Sequence, residues 1–304
     1  MSSECHFLSR NYPYGYAKML RASFTQSMEI IFEDRCLVVR SDVLNALLVS
    51  DIHLGFRVEL EHRTGISYPP DHPLLLNQLQ AIVKKHSVSA LYIIGDLKHT
   101  IVPDNSYDWE IIPEFMTMIS RDIDTTIIPG NHDGSIEGLL PRKVGIADVH
   151  GLTIGHDSDT LGLLHGHAWP SADVLRSSVI VVGHNHPSLN RIRTVSARLN
   201  GRQNRRRSVG FMPVVLRSRL NKNCVRMNIG EPEDLIDSEG ILITLPSFNP
   251  LISGIQVNLS GSRLQGPIFE TGCAELRSSE VYSVDGVFLG TVDTLQASVD
   301  ETIK

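Results

Sequence analysis

The sequence predicts an α/β protein in which short buried strands alternate with helices and are followed by a β-rich C-terminal part. Three observations indicate this fold class. Between residues 44 and 182, short apolar runs rich in β-branched residues recur. The segments between these runs have apolar residues at helical spacing. Beyond residue 240, strand patterns follow one another closely without helical segments between them. The chain has 304 residues, 41% of them hydrophobic, which is enough for a substantial core.

The N-terminal residues show no strand or helix period, so we interpret residues 1–27 as a mobile extension. A sharper hypothesis is that translation starts at Met19 or Met28, because a strand-like run directly follows Met28. The main domain is predicted over residues 28–295, with a C-terminal tail over residues 296–304.

Within that domain, apolar residues at helical spacing predict a helix over residues 74–86. A second helix is predicted over residues 111–119, with Pro113 in its first turn, where proline is tolerated. Five apolar runs predict buried strands, at residues 44–49, 91–94, 126–128, 161–164 and 179–182.

The C-terminal part predicts strands at residues 241–245, 254–259, 281–284 and 287–292. Asp285-Gly286 joins the last two, and Asp-Gly between two such runs is typical of a hairpin turn. We therefore expect a second β-rich layer packed on the first.

The net charge of −6 hides a concentrated basic segment, since residues 190–226 carry 11 basic and no acidic residues. We predict a basic loop there, with Arg202, Arg205, Arg206 and Arg207 as candidate phosphate-binding residues. The alternative is a solvated insertion without a ligand. Phe211 is the only aromatic residue in the segment, which argues against base stacking.

The four cysteines lie far apart and form no Cys-x-x-Cys pair, which argues against a disulfide framework or a thiolate zinc site and indicates a cytoplasmic protein. No apolar run approaches the roughly 20 residues that span a bilayer, so we expect no membrane partner.

Each of the five apolar runs ends in polar residues, and the carboxyl ends of strands in an open α/β sheet are where ligands bind. These residues supply carboxylates, imidazoles and an amide without cysteine, which favours divalent metals such as manganese, iron or zinc. So many donors suit two ions with a shared carboxylate, the arrangement used for phosphoryl displacement. The donors are Asp51, His53, Asp96, His99, Asn131, His132, Asp133, His165, His167, His184 and His186.

These motifs resemble those of the calcineurin-like metallophosphoesterases. Asp51-x-His53, Gly95-Asp96, Gly130-Asn131-His132-Asp133, His165 and Gly183-His184-x-His186 stand in the family's order. Further details, such as Gly95-Asp96-Leu97-Lys98-His99, resemble an archaeal subgroup related to the double-strand-break repair nuclease. The resemblance implies a four-layer α/β/β/α sandwich, with two packed sheets flanked by helices.

The resemblance also implies roles for the residues that match. Asp51, His53 and His186 would bind a first metal, Asp96 would bridge, and Asn131, His165 and His184 would complete the second. A hydroxide between the metals would be the nucleophile. His132 would protonate the leaving group or stabilise the transition state, His99 would orient the phosphate, and Asp133 would orient His132. The expected cofactors are two divalent ions, manganese first, with iron, zinc, nickel or cobalt as alternatives; His167 is an alternative ligand to His165.

Three functions are compatible with these residues. The first is hydrolysis of phosphodiesters in nucleic acid, DNA or RNA. The second is hydrolysis of a small phosphodiester or phosphomonoester, such as a cyclic nucleotide. The third is non-catalytic binding of nucleic acid, against which His132 argues because binding alone needs no general acid.

Overall fold

The computed structural model describes residues 7–8, 21–23, 28–101, 106–156, 159–199, 202–232 and 238–303. Its strands form two sheets that pack face to face, with helices against their outer faces. The predicted sandwich of two sheets flanked by helices is confirmed.

The first sheet contains eight strands in chain order: β1 (Phe7–Leu8), β2 (Arg21–Ser23), β3 (Glu29–Glu33), β4 (Cys36–Arg40), β5 (Asn45–Val49), β6 (Ala90–Ile94), β7 (Asp124–Ile128) and β8 (Gly145–Ile146). Neighbours from β1 to β5 are antiparallel, whereas β5 to β8 are parallel. The parallel half carries three of the predicted strands.

The second sheet contains β9 (Leu152–His156), β10 (Asp159–Leu163), β11 (Val179–Val182), β12 (Pro187–Leu199), β13 (Arg202–Asn221), β14 (Glu239–Thr244), β15 (Ile255–Gln256), β16 (Glu280–Ser283) and β17 (Phe288–Thr291). The strand order is β15-β12-β13-β14-β11-β10-β9, and β16 pairs with β13 and β17. Strands β10, β11 and β14 are parallel. The sequence placed all five ligand-bearing strands in one sheet, but the structure divides them between two.

The helices are α1 (Phe56–Thr64), α2 (His72–His86), α3 (Ser106–Ile119), α4 (Ala172–Arg176), α5 (Lys222–Ile229), α6 (Pro267–Glu270) and α7 (Val292–Ile303), with a 3₁₀ helix at Ile136–Leu139. The apolar face of α2, with Leu75, Leu79 and Ile82, packs against the first sheet as predicted. Pro113 lies inside α3 rather than in its first turn, because α3 begins five residues before the predicted start.

Alternation along the strands explains the layers. In β5, Leu47 and Val49 face the helices, whereas Leu48 faces the second sheet. In β11, Val181 faces the first sheet and Ile180 faces α4 and α5. Because successive side chains of a strand point to opposite faces, a strand covered on both sides must be apolar throughout. That requirement produces the continuous apolar runs in the sequence.

Three predictions about the chain's outer parts are corrected. The described residues of the predicted loop at 190–226 instead form the antiparallel pair of β12 and β13 and the start of α5, whereas residues 200–201 lie outside the described residues. The predicted tail at 296–304 instead continues α7 as far as Ile303, and Lys304 lies outside the described residues. The predicted strand at 254–259 is reduced to β15. Of the predicted N-terminal extension, β1 and β2 pair with each other; Met19 and most of the rest lie outside the described residues.

Cys224 and Cys273 form a disulfide that joins α5 to the segment after α6. The prediction against disulfides is therefore wrong for this pair, whose Cα atoms lie 5.3 Å apart although 49 residues separate them in sequence. Cys36 is buried and unpaired, and Cys5 lies outside the described residues. In the part of the chain that the structure describes, no helix has the length and apolar character needed to cross a bilayer.

Candidate metal centre

The five polar clusters predicted from sequence meet at the carboxyl ends of parallel strands in both sheets. Asp51 follows β5, Asp96 follows β6 and Asn131 follows β7 of the first sheet. His165 follows β10 and His184 follows β11 of the second sheet. The sheets face each other with these ends on the same side, so five separate chain segments contribute to one site.

The first cluster contains Asp51, His53 and His186, each offering a ligand atom within 4.8 Å of the others. Oδ1 of Asp51 lies 2.9 Å from Nε2 of His186 and 3.9 Å from Nε2 of His53. The two histidine Nε2 atoms lie 3.4 Å apart. The ligand atoms of the three side chains thus lie around one common position.

The second cluster contains Asp96, His165 and His184, again within 4.8 Å of one another. Nε2 of His165 lies 3.3 Å from Oδ2 of Asp96 and 3.2 Å from Oδ1 of Asn131. The same Asp96 oxygen lies 3.6 Å from Nε2 of His53 in the first cluster. Asp96 therefore stands between the two clusters.

The backbone around these donors adopts conformations that side-chain-bearing residues rarely take. Positive φ angles, between 44° and 68°, occur at five of the donors: Asp51, His53, Asp96, His184 and His186. Each such residue costs on the order of 1–3 kcal/mol and persists only where its surroundings fix it. Their concentration at one place indicates a functional centre.

Two glycines allow the chain to approach these donors closely. A Cβ atom at Gly183 would lie 1.7 Å from Oγ of Ser50 and 2.5 Å from Oδ2 of Asp51. A Cβ atom at Gly130 would lie 2.2 Å from Oδ1 of Asp96. Any side chain at either position would displace a carboxylate of the centre.

The electrostatics of the site suit a cation. Burial would lower the pKa of His165, but the carboxylates of Asp96 and Asp51 outweigh it and raise that pKa to about 9. The same carboxylates would attract a divalent ion. Burial lowers the pKa of His53 to about 3 and that of His184 to about 4, so both imidazoles are neutral at pH 7, the form that can bind a metal.

The donor atoms of the two clusters are of the types that bind divalent metals. Each cluster combines one carboxylate with two imidazoles, and the Asn131 amide oxygen adjoins the second. Asp51, Asp96 and His165 are buried, and buried carboxylates are rarely retained without a cation or hydrogen bonds. Nitrogen and oxygen donors without thiolates fit manganese, iron, zinc, nickel or cobalt.

His99 and His132 lie beside the first cluster, and with His53 they form a third close group. The rings of His99 and His132 stack at 5.5 Å between centroids. Nδ1 of His132 donates to the backbone carbonyl of His99, and Nε2 of His99 bonds to the Glu59 carboxylate on α1. His132 therefore keeps Nε2 for other partners.

The position of Asp133 corrects its predicted role. Its carboxylate accepts the backbone N–H of Gly130 at 2.9 Å and that of Lys98 at 3.3 Å. Among the hydrogen bonds of the described residues, none joins Asp133 to the ring of His132, which the His99 carbonyl orients instead. Asp133 shapes the turn that carries Asn131 and His132.

His167, the alternative to His165, lies outside the second cluster, although its ring centroid is 5.2 Å from that of His165. Burial and the neighbouring His165 lower the pKa of His167 to about 4. The geometry therefore favours His165 as the ligand.

Several supporting residues were not predicted from the sequence. Ser50 donates to the Asp51 carboxylate, and Ser247 donates to the Asp51 carbonyl at 2.7 Å. Lys98 is fully buried, and its ammonium donates to the backbone carbonyls of Thr100, Ile101 and His132. Lys98 stands inside the motif that follows Gly95, so its position was visible; Ser247 lies about 200 residues from Asp51 and gave no signal.

A cavity of about 490 Å³ adjoins His99 and His132, and we call it the α1 pocket. Helix α1 forms one wall with Val58, Glu59 and His62. The opposite wall comes from α3 and the segment before it, with Thr100, Ile101, Tyr107 and Asp108.

The candidate phosphate-binding arginines, Arg202, Arg205, Arg206 and Arg207, lie on β13 near its start. Strands β12 and β13 pair from Asn190–Phe211 to Leu199–Arg202, and the described residues supply no third strand over this stretch. At about 3.3 Å per residue, this basic ribbon is roughly 30 Å long.

The chain is similar to a known protein family in sequence and to a solved structure in fold. Residues 44–223 match the family model described as calcineurin-like phosphoesterase. The fold is similar to that in the crystal structure of the Pseudomonas putida nuclease MPE, with 18% sequence identity, a TM-score of 0.48, and coverage of 86% of this chain and 96% of that one. No curated protein matches the chain significantly. The family match covers more than half of the chain and spans all the clustered aspartate and histidine residues, which fit a metal-dependent hydrolase, so the chain belongs to the calcineurin-like phosphoesterases.

Proposed function

We propose that this protein is a dinuclear metal-dependent phosphodiesterase that hydrolyses nucleic acid, DNA in the first place. Asp51, His53 and His186 would hold one ion, and Asn131, His165 and His184 the other, with Asp96 shared. The observation that carries the proposal is the position of the Asp96 carboxylate, 3.6 Å from His53 and 3.3 Å from His165. A carboxylate between two ligand sets suits two ions about 3.5–4 Å apart.

Bound divalent ions would supply the Lewis acidity that activates water and neutralises the phosphate. The protein's own contribution begins with His132. Its Nδ1–H is held by the His99 carbonyl, so a protonated ring presents Nε2–H for transfer to the leaving oxygen. The Glu59 carboxylate holds His99, which would orient the phosphate. The fold thus fixes both imidazoles before substrate arrives.

The basic ribbon supports a nucleic-acid substrate. Seven arginines lie between residues 190 and 211, three on β12, which follows His186, and four on β13. A two-stranded ribbon has dimensions that fit the major groove of DNA, and arginine pairs with phosphates along the backbone. Deleting residues 202–207 should therefore flatten the salt dependence of DNA binding.

A second candidate is the hydrolysis of a small phosphodiester or phosphomonoester. The α1 pocket favours it, because a cavity of about 490 Å³ lies in the range of small-molecule sites, roughly 300–1,000 Å³. Cyclic nucleotides and dinucleotides belong among the test substrates for this reason.

A panel of substrates tests these proposals. Purified protein with manganese, and with chelator as control, is offered single- and double-stranded DNA, RNA, cyclic nucleotides and an aryl phosphodiester. We expect manganese-dependent cleavage of DNA. Turnover of small esters with intact DNA would favour the second candidate, and binding of nucleic acid without any turnover would leave only the non-catalytic function. Elemental analysis of protein purified from its natural source distinguishes manganese from iron, zinc, nickel and cobalt.

We also propose a cytoplasmic location, which requires Cys224 and Cys273 to be reduced in cells, because cytosolic disulfides are rare. Thiol labelling of the protein in freshly lysed cells tests this. A fully oxidised pair would contradict it.

A further inference from the structure

The α1 pocket lies on the side of the centre where the leaving group must be. His132 lines the pocket, and under the proposed function His132 protonates the leaving oxygen. Proton transfer needs hydrogen-bond contact, so the leaving alcohol lies against His132 and its remaining atoms extend into the adjoining space. The α1 pocket supplies that space.

The charge of the pocket selects against phosphate. The acidic residues Glu59 and Asp108 line it, although Asp108 is fully buried and accepts a hydrogen bond from the Thr100 hydroxyl, and no lysine or arginine is among its described lining residues. Lys98 lies nearby, but its ammonium is buried against three backbone carbonyls. A phosphate on the leaving alcohol would therefore face acidic residues, because the partners of Glu59, Arg63 at 3.5 Å and His99, are already engaged with its carboxylate.

The rest of the lining suits an uncharged ring system. Val58, Ile101 and Tyr107 provide apolar surface, and Ile101 is 60% exposed. Glu59 and Thr100 offer hydrogen-bond partners for hydroxyl and amino groups. A nucleoside combines these properties, with an apolar base face and polar sugar hydroxyls.

We propose that the α1 pocket binds the leaving alcohol of the substrate and that this alcohol is a nucleoside without a phosphate of its own. The inference rests on the proposed function and refines it. The scissile bond then lies next to a chain end, or within a dinucleotide, rather than in the interior of a long strand.

Thymidine dinucleotides test the proposal with an internal control. The substrates are the unmodified dinucleoside monophosphate and its two isomers with one extra phosphate, on the 5′ or the 3′ end. The products identify the leaving nucleoside, so one isomer carries the extra charge on the leaving side and the other on the retained side. We expect kcat/KM to fall about ten-fold more for the leaving-side isomer. Equal values would overturn the proposal.

Two variants on α1 locate the source of this selection. Glu59→Gln should reduce the ratio of the two isomers' kcat/KM values by roughly two- to five-fold, since a partly exposed charge contributes modestly. The ratio is taken within one variant, so a general loss of rate through His99 cancels. Glu61→Gln is the matched control, because Glu61 pairs with Arg57 and does not line the pocket. An unchanged ratio in Glu59→Gln would refute the assigned role of charge.

A binding measurement separates this inference from the proposed function. Saturation-transfer NMR with thymidine and metal-free full-length protein should show saturable binding that Val58→Trp abolishes by filling the pocket. Ile101→Trp is a second filling variant, since its exposed side chain spares the core if Val58→Trp fails to fold. If no dinucleotide is cleaved but thymidine binds in this way, the proposed function fails and the pocket assignment survives. If thymidine does not bind, or binds equally to both variants, the pocket assignment fails.

Discussion

The buried ammonium of Lys98 donates to the backbone carbonyl of His132, so a cation on the β6 side of the site holds the turn after β7. Lys98 also uses its own N–H to bind Asp133, two residues after Asn131. Lys98 thus holds the backbone of the turn that carries Asn131 and His132.

Replacing Lys98 with methionine should lower kcat while KM changes little, because His132 loses its anchor and the substrate-facing surface stays. Three backbone carbonyls would lose the Lys98 donor, so we expect a stability loss of roughly 3 kcal/mol. Steady-state kinetics and urea unfolding measure the two effects. Lys84→Met, at an exposed position of α2, is the control, and equal behaviour of the two variants would contradict the assignment.

His132 and Asp96 should separate chemistry from metal binding. His132→Ala is expected to retain its metal and lose about 10²–10⁴-fold in kcat on substrates with poor leaving groups. Asp96→Asn is expected to lose metal as well, because one shared carboxylate serves both clusters. Metal content per chain and kcat are measured on the same preparations. A fully active His132→Ala would refute the general-acid role.

Gly183→Ala should disrupt the centre although it adds only one methyl group. That group would lie 1.7 Å from Oγ of Ser50 and 2.5 Å from the Asp51 carboxylate, so both must move. We expect about 1–3 kcal/mol of lost stability and reduced metal content. Gly210→Ala is the control, since a Cβ there meets no atom within 4 Å. Thermal unfolding with and without manganese compares the two, and a metal content equal to wild type in Gly183→Ala would contradict the close approach.

The Glu33 carboxylate lies away from the metal centre, and we expect its contribution to the free energy of unfolding to be lost in acid. Burial would raise the pKa of Glu33, but hydrogen bonds and charges from Lys85 and His86 lower it below its usual 4.5. The ionised carboxylate is therefore favoured in the folded state, and its contribution is present above pH 4.5 and lost as pH falls through the folded-state pKa.

The stability difference between wild type and Glu33→Gln should accordingly be largest near neutral pH and shrink below pH 4.5. Denaturant unfolding at a series of pH values measures it. Glu110→Gln, at an exposed position of α3, should show no such trend. A difference that grows on acidification would reverse the assigned sign.

The ligand-bearing strands were predictable because burial on both faces requires continuous apolar runs, and each run ends where polar donors begin. Helix α2 was predictable from the spacing of Leu75, Leu79 and Ile82. The division of the strands between two sheets could not be predicted, because an apolar run has the same appearance in either sheet. Register and partner depend on long-range packing.

The basic segment and the disulfide were mispredicted for related reasons. Arginine-rich sequence suggested a loop, but the hydrogen bonds between β12 and β13 override that weak local preference. Cys224 and Cys273 carry no spacing signal, and only the packing of α5 brings them together. Asp133 was misassigned because neighbours in sequence need not touch; its carboxylate turns back to Gly130.

The left-handed backbone of the five metal-centre donors has an evolutionary consequence. Glycine at any of these positions would relieve the local backbone strain, but would remove a candidate ligand. Without selection for activity, the backbone conformation at these positions would favour glycine. Aspartate and histidine persist there only as long as activity is selected. The residue types at these five positions in a homologue therefore distinguish an active enzyme from an inactive protein with the same fold.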